Sequence, residues 1–243
     1  MATTSVPKGF SEPVKKKPKR LIISVEGMDK EGKTTFGLSA PPPIAVFDMD
    51  IGTEGVVDNY IGKKKLYIAG FDYRDSTDPA EWLKMWVKYK ETFLTALTDK
   101  WIRTVVVDTA TEAWELARLA RFGKLTQVLQ HHYGPVNAEF RDLIRKAYDT
   151  DKNLILIHKM KEQYINDKGT GKMIRSGFND TAYLVQVNIR TWYRAKERLF
   201  GLTVVNCRQN MSIAGMELTE PINDFAHLAA EVYPQTDAED WEK

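Results

Sequence analysis

The sequence has a single cysteine and no long apolar segment, and each of these absences excludes a class of protein. Cys207 alone cannot form an intramolecular disulfide or a cysteine-based zinc site, which favours an intracellular protein. No run of about 18 apolar residues occurs, and the N-terminus lacks the apolar core of a signal peptide. We therefore expect a cytoplasmic protein with no membrane partner.

The net charge is also small. The chain has 35 lysine and arginine residues against 33 aspartate and glutamate residues, a net charge of +2. No field of the whole chain would attract a polyanion, so a nucleic-acid partner must be held by local patches. With 243 residues, of which 43% are hydrophobic and 28% charged, the chain can bury one substantial core.

The two ends differ in composition from the segment between them. Residues 1–19 form a basic, proline-containing arm, and residues 235–243 form an acidic tail. Both ends have little to bury, so we expect them to be mobile. Residues 20–234 are then the single folded domain.

Short apolar runs alternate with helix-period segments in this domain, which predicts an α/β fold with a mainly parallel sheet flanked by helices. We expect buried strands at Leu21–Val25, Ile44–Phe47, Leu66–Ala69, Ile102–Val107 and Leu154–Ile157. The apolar spacing predicts helices at Glu81–Thr98, at Thr111–Phe122 and after Pro135. Alternation in Tyr183–Tyr193 and Phe200–Asn206 predicts a C-terminal antiparallel hairpin.

The strongest motif is the segment Gly27–Thr34, which fits G-x-x-x-x-G-K-T and directly follows an apolar strand. This is the context of a phosphate-binding P-loop, whose glycines let backbone N–H groups curl around phosphates. Lys33 would reach the β- and γ-phosphates of ATP, and Thr34 would bind Mg²⁺. The expected nucleotide-binding residues are Gly27, Met28, Asp29, Lys30, Glu31, Gly32, Lys33, Thr34 and Thr35.

Acidic residues follow two other predicted strands. Asp108 ends the run from Thr104 and fits the Walker B carboxylate that supports Mg²⁺, although it could equally be a helix N-cap. A carboxylate must also orient the attacking water. Asp50 is our first choice and Glu54 the second, with an ordinary solvated acidic turn as the alternative.

The order of these motifs resembles the phage ATP-binding proteins of the RecA-like superfamily, over about residues 20–210. The blocks that carry the resemblance are the P-loop, Phe47-Asp48-Met49-Asp50 with Gly52-Thr53-Glu54-Gly55, Val107-Asp108-Thr109, His131-His132-Tyr133-Gly134 and Leu156-Ile157-His158-Lys159. The resemblance implies a RecA-like P-loop ATPase core that hydrolyses Mg-ATP, acting in recombination or single-strand annealing in a host cytoplasm.

The resemblance also implies partners. These are single-stranded DNA, further copies of the chain in a ring or filament, and another recombination protein such as a single-strand-binding protein. It implies that His158 senses the γ-phosphate, that the following loop meets DNA, and that Phe10 inserts into a neighbouring subunit.

The segment after His158 has the composition of a nucleic-acid contact, being basic, glycine-containing and interleaved with aromatics. Its candidate contacts are Lys159, Lys161, Tyr164, Lys168, Lys172 and Arg175, with Phe178 as a second stacking surface. A solvated hairpin tip is the alternative. A second basic cluster or Arg208 could supply an arginine finger to a neighbour's nucleotide; the cluster comprises Arg190, Arg194, Lys196 and Arg198.

Two other functions stay open. The segments Val25–Asp29 and Gly32–Thr35 are similar to the loop of deoxynucleotide kinases, and Asp72-Tyr73-Arg74 is similar to a kinase triplet. The lack of an arginine-rich lid and the Asp48–Gly55 block oppose that function. The other alternative is a nucleotide-dependent protein-interaction module, such as a loader or packaging accessory with weak hydrolysis.

Overall fold

Short aliphatic and β-branched segments form the strands of one central sheet in the computed structural model. The structure describes residues 6–12, 18–73, 76–125 and 128–242, with Gln130 described by its backbone. The strands are Ile22–Glu26 (β1), Ile44–Asp48 (β2), Leu66–Gly70 (β3), Thr104–Asp108 (β4), Asn153–His158 (β5), Met160–Ile165 (β6), Lys168–Arg175 (β7), Val187–Arg194 (β8), Leu199–Cys207 (β9) and Glu217–Thr219 (β10).

Amphipathic segments between the strands form helices, and polar residues fix where several of them begin. The Asp78 carboxylate accepts a hydrogen bond from Ala80 N, and the Thr109 hydroxyl accepts one from Glu112 N. The helices are Lys33–Ser39 (α1), Pro79–Thr98 (α2), Ala110–Phe122 (α3), Gly134–Tyr148 (α4), Thr181–Leu184 (α5), Phe225–Val232 (α6) and Glu239–Glu242 (α7).

The central sheet has eight strands in the order β10-β9-β8-β1-β5-β4-β2-β3. The six strands from β8 to β3 are parallel, whereas β9 and β10 pair antiparallel. The carboxyl ends of β1, β2, β4 and β5 therefore meet at one edge, where open α/β sheets bind ligands. The predicted mainly parallel α/β core with its C-terminal antiparallel hairpin is confirmed.

Helices cover both faces of the sheet, so its central strands are apolar on both sides. On one face α2, α3 and α4 pack through aromatic residues that include Trp82, Phe93 and Phe140. On the other face α1, α6 and α7 pack through residues that include Phe36 and Phe225. The predicted core stripe of α2 is confirmed, because its aromatic side chains are buried.

Three expectations about elements are wrong. The strand at Leu66–Ala69 is not buried on both faces, because β3 forms an edge of the sheet and leaves Tyr67 and Ile68 exposed. Tyr183 lies in α5, so the strand of the hairpin begins later, at Val187. The segment after His158, expected as a loop, is a two-stranded antiparallel hairpin of β6 and β7.

The acidic tail is packed against the domain, contrary to its expected mobility. Trp241 of α7 is 7% exposed, stacks on Tyr233 at 5.7 Å between ring centroids and meets Phe225 edge-on. The free energy gained by burying the large aromatic side chain of Trp241 exceeds the cost in conformational entropy of ordering the short acidic segment.

At the other end of the chain, Phe10 is 76% exposed. The arm lysines Lys15, Lys16 and Lys17, like Arg74 of the kinase-like triplet, lie outside the described residues. Across the described ranges, no helix combines the length and apolar character needed to cross a membrane.

Candidate nucleotide site

The P-loop joins β1 to α1, and its two motif glycines meet close neighbours. A Cβ at Gly27 would lie 2.4 Å from Thr191 Oγ1, so no side chain fits there. Gly32 holds φ at +81°, a left-handed conformation that favours glycine. The conformation of the loop therefore depends on these two glycines. Phe200 packs against Gly32, because a Cβ at Gly32 would lie 3.5 Å from the Phe200 ring.

Lys33 lies folded over this loop. Its Nζ donates hydrogen bonds to Gly27 O at 3.0 Å and Met28 O at 2.5 Å. Burial lowers the pKa of Lys33, while Asp29 and Asp108 oppose that shift. A partly desolvated ammonium group suits an anionic phosphate, because its charge is poorly compensated by water.

Thr34 of α1 and Asp108 of β4 meet directly. Thr34 Oγ1 donates to Asp108 Oδ2 at 2.6 Å, and Asp108 is 2% exposed. Burial raises the pKa of Asp108 to about 6, against the hydrogen bond from Thr34, which lowers it. The pair presents a hydroxyl and a carboxylate side by side, which are oxygen groups that Mg²⁺ prefers.

The turn after β2 carries the candidates for water activation. Asp48 accepts a hydrogen bond from Thr53 Oγ1 at 2.5 Å and so organises the turn. Asp50 reaches the cavity, and its Oδ1 is buried without a hydrogen-bond partner among the described residues. Ile51 holds φ at 63°, a strained value for a β-branched residue, which fixes the turn beside Asp50.

Glu54, our second choice, is exposed and does not line the cavity. The structure therefore does not bring it to the P-loop, because the turn containing Thr53 carries its side chain to the surface. This candidate is corrected in favour of Asp50.

His158 and Lys159 end the strand between the P-loop strand and the Asp108 strand. His158 is fully buried, with Nδ1 3.2 Å from Ser176 O, and burial together with the charge of Arg175 lowers its pKa to about 3. The His158 side chain is absent from the cavity lining, so it does not face a γ-phosphate there.

Lys159 does line the cavity, where its Nζ lies 2.9 Å from Asp50 Oδ2 and 2.5 Å from Glu112 Oε1. Sequence reasoning placed Lys159 with nucleic acid and missed Glu112. Because Glu112 lies on the first turn of α3, four residues after Asp108, its position near the sheet edge was the available signal.

A cavity of about 730 Å³ connects these groups. One side is formed by the P-loop with Asp50, Asp108 and Lys159, and the other extends to residues near the starts of β9 and α6. These residues include Phe200, Leu202, Asn223 and Asp224, and Tyr60 also lines the cavity. The lining thus combines the P-loop and its lysines, which suit phosphates, with aromatic and amide side chains, which suit a base.

The donor set fits Mg²⁺ together with a nucleotide. No cluster of three or more His, Cys, Asp or Glu side chains in the described part of the chain could hold a metal by itself. Thr34 and Asp108 instead offer two oxygens, and Mg²⁺ is usually completed by substrate phosphates and water. The unpartnered Oδ1 of Asp50 has room for a hydrogen bond that the protein does not provide.

The hairpin of β6 and β7 projects from this edge and carries exposed cations. Lys161, Lys168, Lys172 and Tyr164 are exposed. Asn166 and Asp167 both have positive φ, the geometry of a type I′ turn, so Asn-Asp was the signal for a hairpin.

Two residues assigned to nucleic acid are not available to it. The Arg175 guanidinium is directed into the sheet, where Nη1 donates to Ser24 Oγ and Asn188 Oδ1, each at 3.2 Å. Phe178 is 2% exposed and packs against Trp114 and Phe140. Both assignments are corrected. Arg175 donates hydrogen bonds to polar groups of the sheet, and Phe178 is packed among buried aromatic rings.

Most arginine-finger candidates already have intramolecular partners. Arg190 donates from Nε and Nη2 to Glu26 Oε1, at 2.9 and 2.5 Å, and Arg208 donates to Tyr183 O. Arg194 pairs with Glu217 at 2.8 Å and lies over the Trp192 ring. Lys196 and Arg198 are exposed at the turn between β8 and β9.

The chain is similar to one protein family and to several solved structures. The AAA domain family model matches residues 18–192. No curated protein matches the chain. The RadB recombinase structure is 15% identical over 83% of this chain and 86% of that chain, with a TM-score of 0.49. A KaiC-like protein from Pyrococcus horikoshii is 13% identical over 83% and 85%, with a TM-score of 0.45.

Proposed function

Because the chain belongs to the AAA domain family, we propose that it is an ATPase that binds single-stranded DNA and acts in phage-type recombination or annealing. The observation that carries the ATPase is the convergence of Lys33, the Thr34–Asp108 pair and Asp50 on one cavity. These groups come from three separate segments and supply the charges that phosphoryl transfer requires.

In the proposed reaction the P-loop amides and Lys33 hold the β- and γ-phosphates. Bound Mg²⁺ would be held by Thr34 and Asp108 and would neutralise charge on the phosphate oxygens. Asp50 accepts the proton of a water whose oxygen attacks the γ-phosphorus. The bond to the β–γ bridging oxygen breaks, which yields ADP and inorganic phosphate.

The DNA part of the proposal is supported by the hairpin. Lys161, Lys168 and Lys172 are solvent-facing cations, and Tyr164 is 65% exposed next to them. Cations that follow a backbone and an aromatic surface that stacks on bases are the two elements of single-strand binding. The hairpin begins directly after Lys159, so a strand bound there lies near the nucleotide.

Assembly into a ring or filament, with Arg198 of one subunit reaching the nucleotide of the next, is part of the same proposal. It is supported by the exposure of Arg198 on the turn that joins β8 to β9, which leaves this side chain accessible to a neighbouring subunit. The proposal also includes a recombination partner, such as a single-strand-binding protein.

The test is ATP hydrolysis with Mg²⁺, with and without single-stranded DNA, beside a panel of nucleoside monophosphates. We expect hydrolysis that DNA stimulates, and Lys33→Ala should abolish nucleotide binding because the phosphates lose their central cation. Lys100→Ala, at an exposed position outside the cavity, is the control. Transfer of phosphate to a monophosphate would identify a kinase, and slow hydrolysis indifferent to DNA would favour the interaction module.

A further inference from the structure

Lys159 leaves the sheet between the P-loop strand β1 and the Asp108 strand β4. His158 of β5 lies beside Glu26 of β1, and Ile157 lies beside Asp108 of β4. Residue 159 therefore emerges between the start of the P-loop and the Asp108 strand. Its side chain lines the same cavity as Lys33 and Thr34.

In the structure two carboxylates hold this lysine. Its Nζ lies 2.9 Å from Asp50 Oδ2 and 2.5 Å from Glu112 Oε1, and both acids are largely buried, with exposed side-chain fractions of 13% and 17%. Burial lowers the pKa of Lys159, but hydrogen bonds to Glu112 and Asp50 outweigh that effect and raise it. Lys159 is thus a full cation, and 37% of its side chain stays accessible.

We propose that Lys159 is the residue by which the site distinguishes a nucleoside triphosphate from a diphosphate, an inference that rests on the proposed function. Without a terminal phosphate, Lys159 pairs with Asp50 and Glu112. When a triphosphate binds, Nζ moves to an oxygen of the terminal phosphate. A diphosphate lacks that oxygen, so the pairing with the carboxylates persists.

This exchange also frees Asp50. While a diphosphate is bound, Asp50 Oδ2 stays paired with Lys159 Nζ, and when a triphosphate binds the pair opens and leaves Asp50 Oδ2 available to a water molecule. Lys159 takes the role that the sequence resemblance implies for His158, whose side chain is fully buried.

The direct test compares the affinities of wild-type protein and Lys159→Met for a non-hydrolysable ATP analogue and for ADP, by calorimetry with Mg²⁺. Because Lys159→Met removes one charge-assisted contact, its affinity for the analogue should fall about 10- to 100-fold, while its affinity for ADP should stay within about twofold of the wild-type value. Lys159→Arg should keep most of the preference. Lys146→Met, which removes an exposed lysine of α4, should change neither affinity.

A second variant acts in the opposite direction. Glu112→Gln removes one of the two charges that hold Lys159, so affinity for the analogue should rise about threefold while ADP binding is unchanged. Because this change strengthens binding, a folding defect cannot imitate it.

The outcomes separate this inference from the proposed function. Wild-type protein that binds neither nucleotide would overturn both. A second outcome is that wild-type protein binds both nucleotides and Lys159→Met weakens both affinities equally or changes neither. This outcome would overturn the role of Lys159 without contradicting the proposed ATPase. Retained ADP binding by Lys159→Met also shows that the variant is folded.

Discussion

Asp108 holds a carboxylate where its charge is disfavoured. It is buried beside Thr34, with Asp50 and Asp48 nearby, and burial raises its pKa to about 6. Because the folded state holds the proton more tightly than the unfolded state, this group lowers stability as pH rises from about 4 to about 6. The carboxylate that we propose as a Mg²⁺ ligand is therefore a source of instability in the protein without ligand.

We expect Asp108→Asn to stabilise the ligand-free protein at pH 8 by on the order of 2 kcal/mol, since the amide carries no charge to desolvate. Denaturant unfolding at pH 8 and pH 5 measures the effect, which should shrink at the lower pH. The same variant should lose Mg²⁺-dependent hydrolysis. Asp142→Asn, at an exposed position of α4, is the control, and equal stabilisation by both variants would contradict the burial argument.

The same pKa predicts how nucleotide binding depends on pH. Protonated Asp108 has no charge for Mg²⁺, so Mg-nucleotide affinity should fall as pH decreases through about 6. Titration of nucleotide affinity between pH 5 and pH 8 checks this, with the Mg²⁺-free nucleotide as reference. A Mg²⁺ contribution that is constant across this range would show that another group holds the metal.

At the scale of elements, the hairpin of β6 and β7 has an inner part that serves the domain and an outer part that faces solvent. Lys159 and Arg175, at its two ends, contact acids and sheet polar groups. Lys161, Lys168 and Lys172 lie outward. Composition alone treats all five cations as equivalent, and the fold divides them.

Replacing Lys161, Lys168 and Lys172 together by glutamine should weaken binding of single-stranded DNA and reduce its salt dependence. Each lost phosphate contact lowers the slope of log K against log salt by about 0.7, so three contacts account for about 2. A fluorescence titration at several salt concentrations measures the slope. The matched control replaces Lys84, Lys100 and Lys146, which are exposed elsewhere. An unchanged slope in the hairpin variant would remove the hairpin as the DNA contact.

At the scale of the whole molecule, the two faces of the sheet are closed by different parts of the chain. The face that carries α1 and α6 is completed by α7, through Trp241. The C-terminal residues are thus part of the core of the domain.

Trp241→Ala should lower the free energy of unfolding by about 3 kcal/mol, since it removes a buried indole that stacks on Tyr233. Thermal or denaturant unfolding measures the loss. Trp101→Ala is the matched control, because Trp101 is 70% exposed and its removal should cost less than about 0.5 kcal/mol. Equal effects of the two changes would mean that α7 does not seal the core in solution.

Much of this architecture could be predicted from the sequence because its signals are local. Apolar runs specify the central strands, helix-period aromatics specify α2, and the P-loop spacing specifies the turn between β1 and α1. The roles of Lys159, Glu112 and Arg175 could not be predicted. Each depends on which polar or charged group lies opposite after folding, and that pairing joins segments far apart in the sequence.

The two-residue turn at Asn166 and Asp167 is a place where substitutions and insertions should cost little stability. Both residues are exposed, while Lys159 and Arg175 hold the base of the hairpin against the sheet. The tip can therefore lengthen, shorten or alter its sequence without disturbing the P-loop edge.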